Sequence, residues 1–319
     1  MREDTGRRPA PRLAIIVPCR NEEEALPASD SALRSLLDKM EACGEVAPGS
    51  FLLYVDDGST DDTWRVIKGF SGSRAKGIRL SRHCGHQEAL MAGLEETVDE
   101  ADACVTVDAD LQDDISVIPR MVSLYRDGAE IVYGVREDRA SDSWFKRTSA
   151  KAFYGTMQSL GAESVGNHAD FRLMGRRAVA DLLEYGERNL FLRGIVPLLG
   201  YRQEQVGYRR GERTAGTTKY PLLKMLDFAA NGITSFSVRP VRMLLVLGLL
   251  FMFTAFCIFV YVMIRHFSGD TIEGWTSLML SIWFCTGVLL MGLGIIGEYI
   301  GKIYIEVKRR PRYRVSEKT

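Results

Sequence analysis

Short apolar runs alternate with amphipathic stretches over the first two thirds of the chain. Leu13 to Val17 is an unbroken, β-branched apolar run that predicts a buried strand, closed by Pro18 and Asn21. Leu26, Leu33, Leu36 and Leu37 then recur at helical spacing and predict a helix from Glu22 to Met40. Phe51 to Val55 predicts a second strand, and after Asp56-Asp57-Gly58 one of Ser59, Thr60 or Asp61 can cap a helix running to Lys68. Ile78 to Leu80 predicts a third strand, Ser81 to Gly85 a loop, and a helix follows to about Val98. Cys104 to Val107 predicts the fourth and Ile131 to Tyr133 the fifth. Asp170 to Met174 reads as a strand entering a helix at Arg176, and Tyr201 to Tyr208 as a late strand. Strands alternating with helices in this order predict an α/β domain with a doubly wound, mostly parallel, Rossmann-like sheet.

Farther on the pattern changes. Ser143 to Leu160 is amphipathic, with Lys146, Arg147 and Lys151 on its polar side, and Arg209 to Lys219 is basic and punctuated by glycine, which predicts a loop. Leu222 to Phe236 carries apolar residues at helical spacing and predicts a helix lying in a membrane interface. Met243 to Ile264 and Trp275 to Ile296 hold no Asp, Glu, Lys or Arg, and each is near the ~20 residues that a spanning helix needs. Two buried core helices are the alternative, which the length and adjacency of the runs disfavour. Arg239 and Arg242 precede the first run, Lys302, Lys308, Arg309, Arg310, Arg312 and Arg314 follow the second, and Arg265 alone lies between them. Both termini are therefore expected in the cytoplasm. The predicted division is a cytoplasmic α/β domain over 1–220, an interfacial amphipathic helix over 221–238, a two-helix transmembrane hairpin over 239–298 (about 243–264 and 275–296) and a basic cytoplasmic tail over 299–319.

The formal net charge is zero, so nothing points to nucleic acid as a partner. The six cysteines show no metal-site spacing and suit a reducing compartment. The informative charges are the acids at strand ends. Asp108 and Asp110 follow the fourth strand, where open α/β sheets place their ligands. Two carboxylates so placed can hold Mg²⁺, with phosphate oxygens and water completing its shell. They can equally form an acidic turn in which Asp113 or Asp114 caps the next helix. No G-x-G-x-x-G follows the first strand and no G-x-x-x-x-G-K-[ST] occurs, so a dinucleotide fold and a P-loop lack their signatures.

Five motifs carry a resemblance: Val17-Pro-Cys-Arg-Asn-Glu22, Val55-Asp-Asp-Gly-Ser-Thr-Asp61, Asp108-Ala-Asp-Leu-Gln-Asp113, Arg213-x-x-Gly-x-Thr-Lys219, and the closing stretch from Gly297-Glu-Tyr-Ile-Gly to Arg310-Pro311. Together they resemble family 2 glycosyltransferases of the GT-A fold, and more narrowly the polyprenyl-phosphate sugar transferases, the bactoprenol glucosyltransferase group related to dolichol-phosphate mannose synthase. The resemblance implies transfer of a sugar, glucose from UDP-glucose first, from a nucleotide-sugar donor to undecaprenyl or another polyprenyl phosphate at the cytoplasmic face of a bacterial-type inner membrane. UDP-aminoarabinose and GDP-mannose are the alternative donors, and an inactive membrane-anchored binding protein the alternative role.

By position, the resemblance implies that Pro18, Arg20, Glu22, Tyr54 and Asp56 hold the nucleotide, with Arg20 standing where an aromatic is common. It implies that Asp108, Ala109, Asp110 and Gln112 bind the diphosphate and a Mg²⁺ (or Mn²⁺) ion, Asp108, Asp110 and Gln112 being the metal ligands, and that Arg213 and Lys219 close a loop on the donor. Arg136, Arg139, Arg147 and Arg193 are the candidates for the acceptor phosphate, suited by arginine's planar fork. Asp170 is a candidate to orient a sugar hydroxyl or the acceptor. A processive synthase lacks its Q-x-x-R-W motif here, and uncharged spans disfavour a transporter. Gly287, Gly292 and Gly294 are small enough to pack the hairpin or a contact between copies in a homo-oligomer.

Overall fold

A computed structural model describes residues 7–70, 72, 74–136, 168–187, 192–208 and 274–319, with isolated helical positions between 246 and 264. The described residues up to 208 and those from 310 to 319 belong to one compact unit, and those from 246 to 309 to another.

In the first unit the order is β1 (Leu13–Cys19), α1 (Leu26–Ala42), β2 (Phe51–Asp56), α2 (Thr63–Phe70), β3 (Ala75–Leu80), α3 (His86–Thr97), β4 (Ala103–Thr106), α4 (Ile118–Arg126), β5 (Ile131–Arg136), β6 (His168–Gly175), α5 (Arg176–Glu184), α6 (Leu192–Leu198) and β7 (Gln203–Tyr208). The strands form an eight-stranded sheet, β7-β5-β6-β4-β1-β2-β3-β8, whose last member β8 (Val315–Lys318) comes from the far end of the chain. β1, β2, β3 and β4 are mutually parallel, while β6 runs antiparallel between β4 and β5.

The central strands are apolar throughout because they are covered on both faces: every residue of β1 and of β2 is buried. α1 lays Leu26, Leu33, Leu37 and Met40 on the sheet, and each such side chain contributes about 1.5–3 kcal/mol. α3 approaches β1 so closely that a Cβ on Gly93 would lie 2.4 Å from Ile16 Cγ2. β3 starts at Ala75, earlier than its apolar run suggests, because Lys76 and Arg79 alternate with buried residues in a strand near the sheet's margin.

One departure from a parallel sheet has a consequence for the site. Reversed β6 carries Asp170 to the same edge as the carboxyl end of β4, with Thr106 paired to Arg172. A second departure is β8, which pairs antiparallel with β3 and covers what would otherwise be an open edge.

In the second unit, α7 (Trp275–Lys308) contains one stretch, Phe284–Lys308, long and apolar enough to cross a membrane by length and composition. Leu278, Ile282, Leu289, Leu293 and Ile300 are exposed along it, as are Val246, Leu250, Phe253 and Phe256 earlier, a surface that calls for an apolar surrounding. The predicted helix over 143–160, the loop over 209–219 and the interfacial helix lie outside the described residues.

Candidate active site

The carboxyl ends of β1 to β5 and the amino end of β6 share one sheet edge, the position at which such sheets take ligands. The loops there are tied to one another. After β1, Asn21 adopts a left-handed conformation (φ 54°); its N–H donates to Ser59 Oγ at 3.0 Å and its Oδ1 accepts from the Thr60 N–H at 2.9 Å. Asp56 Oδ1 accepts from the Ser59 N–H at 3.0 Å, closing the turn after β2. The Asp57 carboxylate receives the backbone N–H groups of Cys84 at 2.7 Å and Gly85 at 3.0 Å from the loop after β3. It also lies 2.7 Å from His83 Nδ1, and His83 Nε2 lies 2.6 Å from Arg20 Nη1. Since arginine only donates, these partners assign the proton to Nδ1 and make Nε2 the acceptor. Arg20, His83 and Asp57 thus join three strand ends in one polar chain, with the Arg20 guanidinium exposed at its mouth.

That junction depends on Gly58, whose φ is 63° and whose added Cβ would lie 2.6 Å from the backbone carbon of Arg82. Gly58→Ala is expected to raise the donor KM at least severalfold and to cost about 1–3 kcal/mol, because strain and backbone collision add. Urea denaturation and donor titration check both.

At the end of β4 the backbone is strained as well: Leu111 has φ 44°, and Gln112 N–H donates to Asp110 Oδ1 at 3.2 Å. Ser29 Oγ of α1 donates to the Ala109 carbonyl at 2.5 Å and fixes the turn from below. Asp110 is exposed and Asp108 partly so. Burial raises the pKa of the Asp108 carboxyl, and Asp113, Asp170 and Asp110 raise it further against the opposing pull of His86. Glu22, from the β1 loop, is raised by burial and then by Asp110, Asp108 and Asp61. Carboxylates that destabilise one another in this way form a setting that a divalent cation would relieve. Among the described residues no group of three or more His, Cys, Asp or Glu forms a closed metal cage. An ion that shares its shell with phosphates and water needs only one or two carboxylates, so Asp108 and Asp110 fit Mg²⁺ or Mn²⁺.

Beside them, Asp170 is gripped by cations. Its Oδ1 accepts from Arg172 Nη2 at 2.8 Å and Arg193 Nε at 3.2 Å, and its Oδ2 from Arg193 Nη2 at 3.2 Å. His86 Nε2 stands between two acids, 3.5 Å from Asp170 Oδ2 and 3.7 Å from Asp108 Oδ1. Burial would raise the Asp170 pKa, but the His86 contact and the Arg172 and Arg193 charges outweigh it and hold the carboxyl well below the usual range. Thr106 Oγ1 donates to the Asp170 carbonyl, locking this residue to β4. Arg136 closes the edge: its Nη2 donates to Asp113 Oδ1 at 3.1 Å and its Nε to Tyr208 Oη at 3.0 Å, while the Tyr208 hydroxyl donates to the same Asp113 oxygen at 2.6 Å.

The structure therefore brings Arg20, Glu22, Asp108, Asp110, Gln112, Arg136, Asp170 and Arg193 to one edge, with Pro18 and Ala109 buried in its floor. Tyr54 and Asp56, which the resemblance sets with the nucleotide, are both covered by the surrounding chain. Tyr54 has no exposed surface, packs against Phe70 and donates its hydroxyl to Asp30 Oδ1 at 2.8 Å, because its side chain leaves β2 toward α1. Asp56 is also fully covered: its Oδ1 shapes the turn by accepting from the Ser59 N–H, while its Oδ2 lies 3.2 Å from Arg79 Nε and is left without a hydrogen-bond partner among the described residues. Tyr54→Phe is accordingly expected to leave the donor KM unchanged while costing about 1 kcal/mol in urea denaturation, the worth of one hydrogen bond. Arg139, Arg147, Arg213 and Lys219 lie outside the described residues. Reading the sequence misses Asp57, His83 and Arg172 as site residues; Asp57 alone carries a signal, in the doubled acid after β2.

A family model described as glycosyl transferase family 2 matches residues 14–183, which takes in every loop of this edge up to β6. The chain is 49% identical to "Uncharacterized glycosyltransferase YkoT" of Bacillus subtilis (strain 168) over 96% of this chain and 91% of that protein. It is 36% identical to "Bactoprenol glucosyl transferase" of Shigella phage SfX over 96% of this chain and 99% of that protein. Among solved structures, mannosyltransferase PcManGT from Pyrobaculum calidifontis, in complex with GDP-Man and Mn²⁺, covers 70% of this chain and 62% of its own at 16% identity and a TM-score of 0.45. The chain belongs to glycosyl transferase family 2.

Proposed function

We propose that the protein transfers a sugar, glucose from UDP-glucose, to undecaprenyl or another polyprenyl phosphate, with inversion at C1. The observation that carries this reading is likeness along nearly the whole chain to proteins named bactoprenol glucosyl transferase. The acceptor phosphate monoester, with a second pKa near 6, is largely ionised at neutral pH, so its oxygen attacks C1 without a strong base. A divalent cation held by Asp108 and Asp110, with Gln112 beside them, would stabilise the charge of the departing diphosphate. Arg20, Glu22 and the Asp57 loop hold the nucleoside end. Arg193, oriented by Asp170, and Arg136, oriented by Asp113, hold the acceptor phosphate against the repulsion of the donor. Arg139 and Arg147 add to that field, and Arg213 and Lys219 close over the donor.

The same reading makes 1–220 the catalytic domain at the cytoplasmic face of the cell membrane. A helix over 221–238 lies in the interface, and two spans over 239–298 keep the domain beside a lipid whose phosphate sits at headgroup depth. Exposed apolar residues along both apolar runs support this.

The test is a transfer assay on detergent-solubilised protein with undecaprenyl phosphate, Mg²⁺ and labelled UDP-glucose, UDP-aminoarabinose and GDP-mannose. Chloroform-soluble label from UDP-glucose that EDTA abolishes supports the reading. Label from another donor alone changes the sugar, and nucleotide binding without lipid-linked product removes the acceptor.

A further inference from the structure

The strand β8 does more than cover an edge. Its register aligns Glu317 with Arg79 of β3, and the register of β3 aligns Arg79 with Asp56 of β2. An acid, a base and an acid thus lie side by side across three adjacent strands, an arrangement that stabilises through alternating charge. Arg79 Nη1 is 3.5 Å from Glu317 Oε1, its Nε is 3.2 Å from Asp56 Oδ2, and its Nη2 donates to the Ser59 carbonyl at 3.4 Å. The other oxygen of Glu317 accepts from the Trp64 indole N–H at 2.9 Å and lies 3.4 Å from Lys68 Nζ, both on α2. One carboxylate therefore grips the helix that leaves the Asp56–Asp61 turn and, through Arg79, the turn itself. One step along, the Ser81 N–H donates to the Arg314 carbonyl at 2.9 Å, so the same segment anchors the loop that delivers His83, Cys84 and Gly85 to Asp57.

We infer that Glu317 is a positioning residue for the donor: the segment from Arg314 to Glu317 sets the two loops on which the nucleotide is bound, acting through Arg79 and the Ser81 backbone and not by touching the ligand. The inference rests on the reading that the β1–β3 edge takes the nucleotide of a nucleotide-sugar. The mechanism is mechanical. Arg79 stands against the turn, with its Nη2 on the Ser59 carbonyl and its Nε charge 3.2 Å from the buried Asp56 Oδ2, and it is shared with Glu317. Lys318, the next residue on β8, is bound instead to Glu96 of α3 at 2.6 Å and has no bond to either loop.

The experiment compares Glu317→Ala, Glu317→Gln and Lys318→Ala in the full chain. It measures UDP and GDP dissociation constants by calorimetry with Mg²⁺, donor and acceptor KM in the transfer assay, and Tm. Both altered contacts are partly exposed, so Glu317→Ala is expected to weaken nucleotide binding and raise the donor KM about fivefold, leaving the acceptor KM unchanged. Glu317→Gln, which keeps an acceptor for Arg79, should fall between it and the unaltered protein, and Lys318→Ala should lower Tm comparably without moving the donor KM. Nucleotide binding unchanged in Glu317→Ala overturns the inference, as does an equal loss in Lys318→Ala, which would make β8 a scaffold only. If the unaltered protein binds neither UDP nor GDP, the donor-edge reading itself fails and takes the inference with it, a result distinct from any difference among variants.

Discussion

Asp110→Ala is expected to lower kcat/KM for transfer by roughly 10³-fold, the scale seen when a single group stabilising a developing charge is removed. Asp110 is exposed, and its carboxylate accepts one backbone N–H, from Gln112. Exposed sites with so little local bonding change stability by no more than about 0.5 kcal/mol. The substitution also removes a negative charge that raises both Asp108 and Glu22, which relieves repulsion in the folded state. Activity and stability should therefore part company: transfer lost, Tm unchanged or slightly higher. Scanning calorimetry alongside the transfer assay reads both. Retention of a tenth or more of the activity would contradict the assignment of Asp110 to the diphosphate.

Asp170→Asn should do the opposite to stability. The Asp170 side chain is only 16% exposed and neutralises Arg172, of which 2% is exposed, as well as the more open Arg193. The amide keeps the shape and removes the charge, leaving a buried guanidinium uncompensated. Breaking such a pair costs about 3–5 kcal/mol. At about 2–4 °C per kcal/mol for a unit of this size, Tm should fall by around 10 °C. Transfer should fall as well, since Arg193 loses the carboxylate that orients it. The dependence on pH follows from the lowered pKa of Asp170: the unfolded chain takes up a proton first, so the stabilisation is complete above the ordinary carboxylate value of about 3.9 and is lost as pH falls toward the lowered one. The Tm difference between the two proteins should thus be constant at neutral pH and narrow under strong acid. A difference below 2 °C at pH 7 would show that Asp170 is not the counter-charge of Arg172.

Much of this was legible in residue order. Apolar runs ending on Asn21, Asp56 and Asp108 announce both the strands and the edge at which they stop, since a run buried on both faces has little choice but a parallel sheet. Direction is another matter: β6 has the same apolar content whichever way it runs, so its reversal, which delivers Asp170 to the acids, leaves no trace in hydropathy. Tyr54 illustrates period 2 in a strand: both faces of β2 are covered, so neighbours in sequence part to opposite sides and motif membership does not settle which side meets ligand. β8 was hidden for a simpler reason. Val315-Ser-Glu-Lys318 has no apolar run, and it is a strand only because β3 offers unpaired backbone groups and Trp64, Lys68 and Arg79 offer partners for Glu317. His83 in its loop and His86 at the start of α3 gain meaning from the carboxylates that other strands bring to them.

The late arrival of β8 bears on how the protein is made. Ile78 of β3 pairs with Lys318, so during synthesis the outer flank of the sheet stays open until the whole greasy helix has left the ribosome. An open flank is a template for the wrong neighbour, and the charges on β3, Lys76 and Arg79, are the kind that discourage a stray strand from settling there. A recombinant piece that stops short of the helix would therefore be something other than the native domain relieved of an apolar segment: it would carry a permanently unfinished sheet, prone to clump with its own kind.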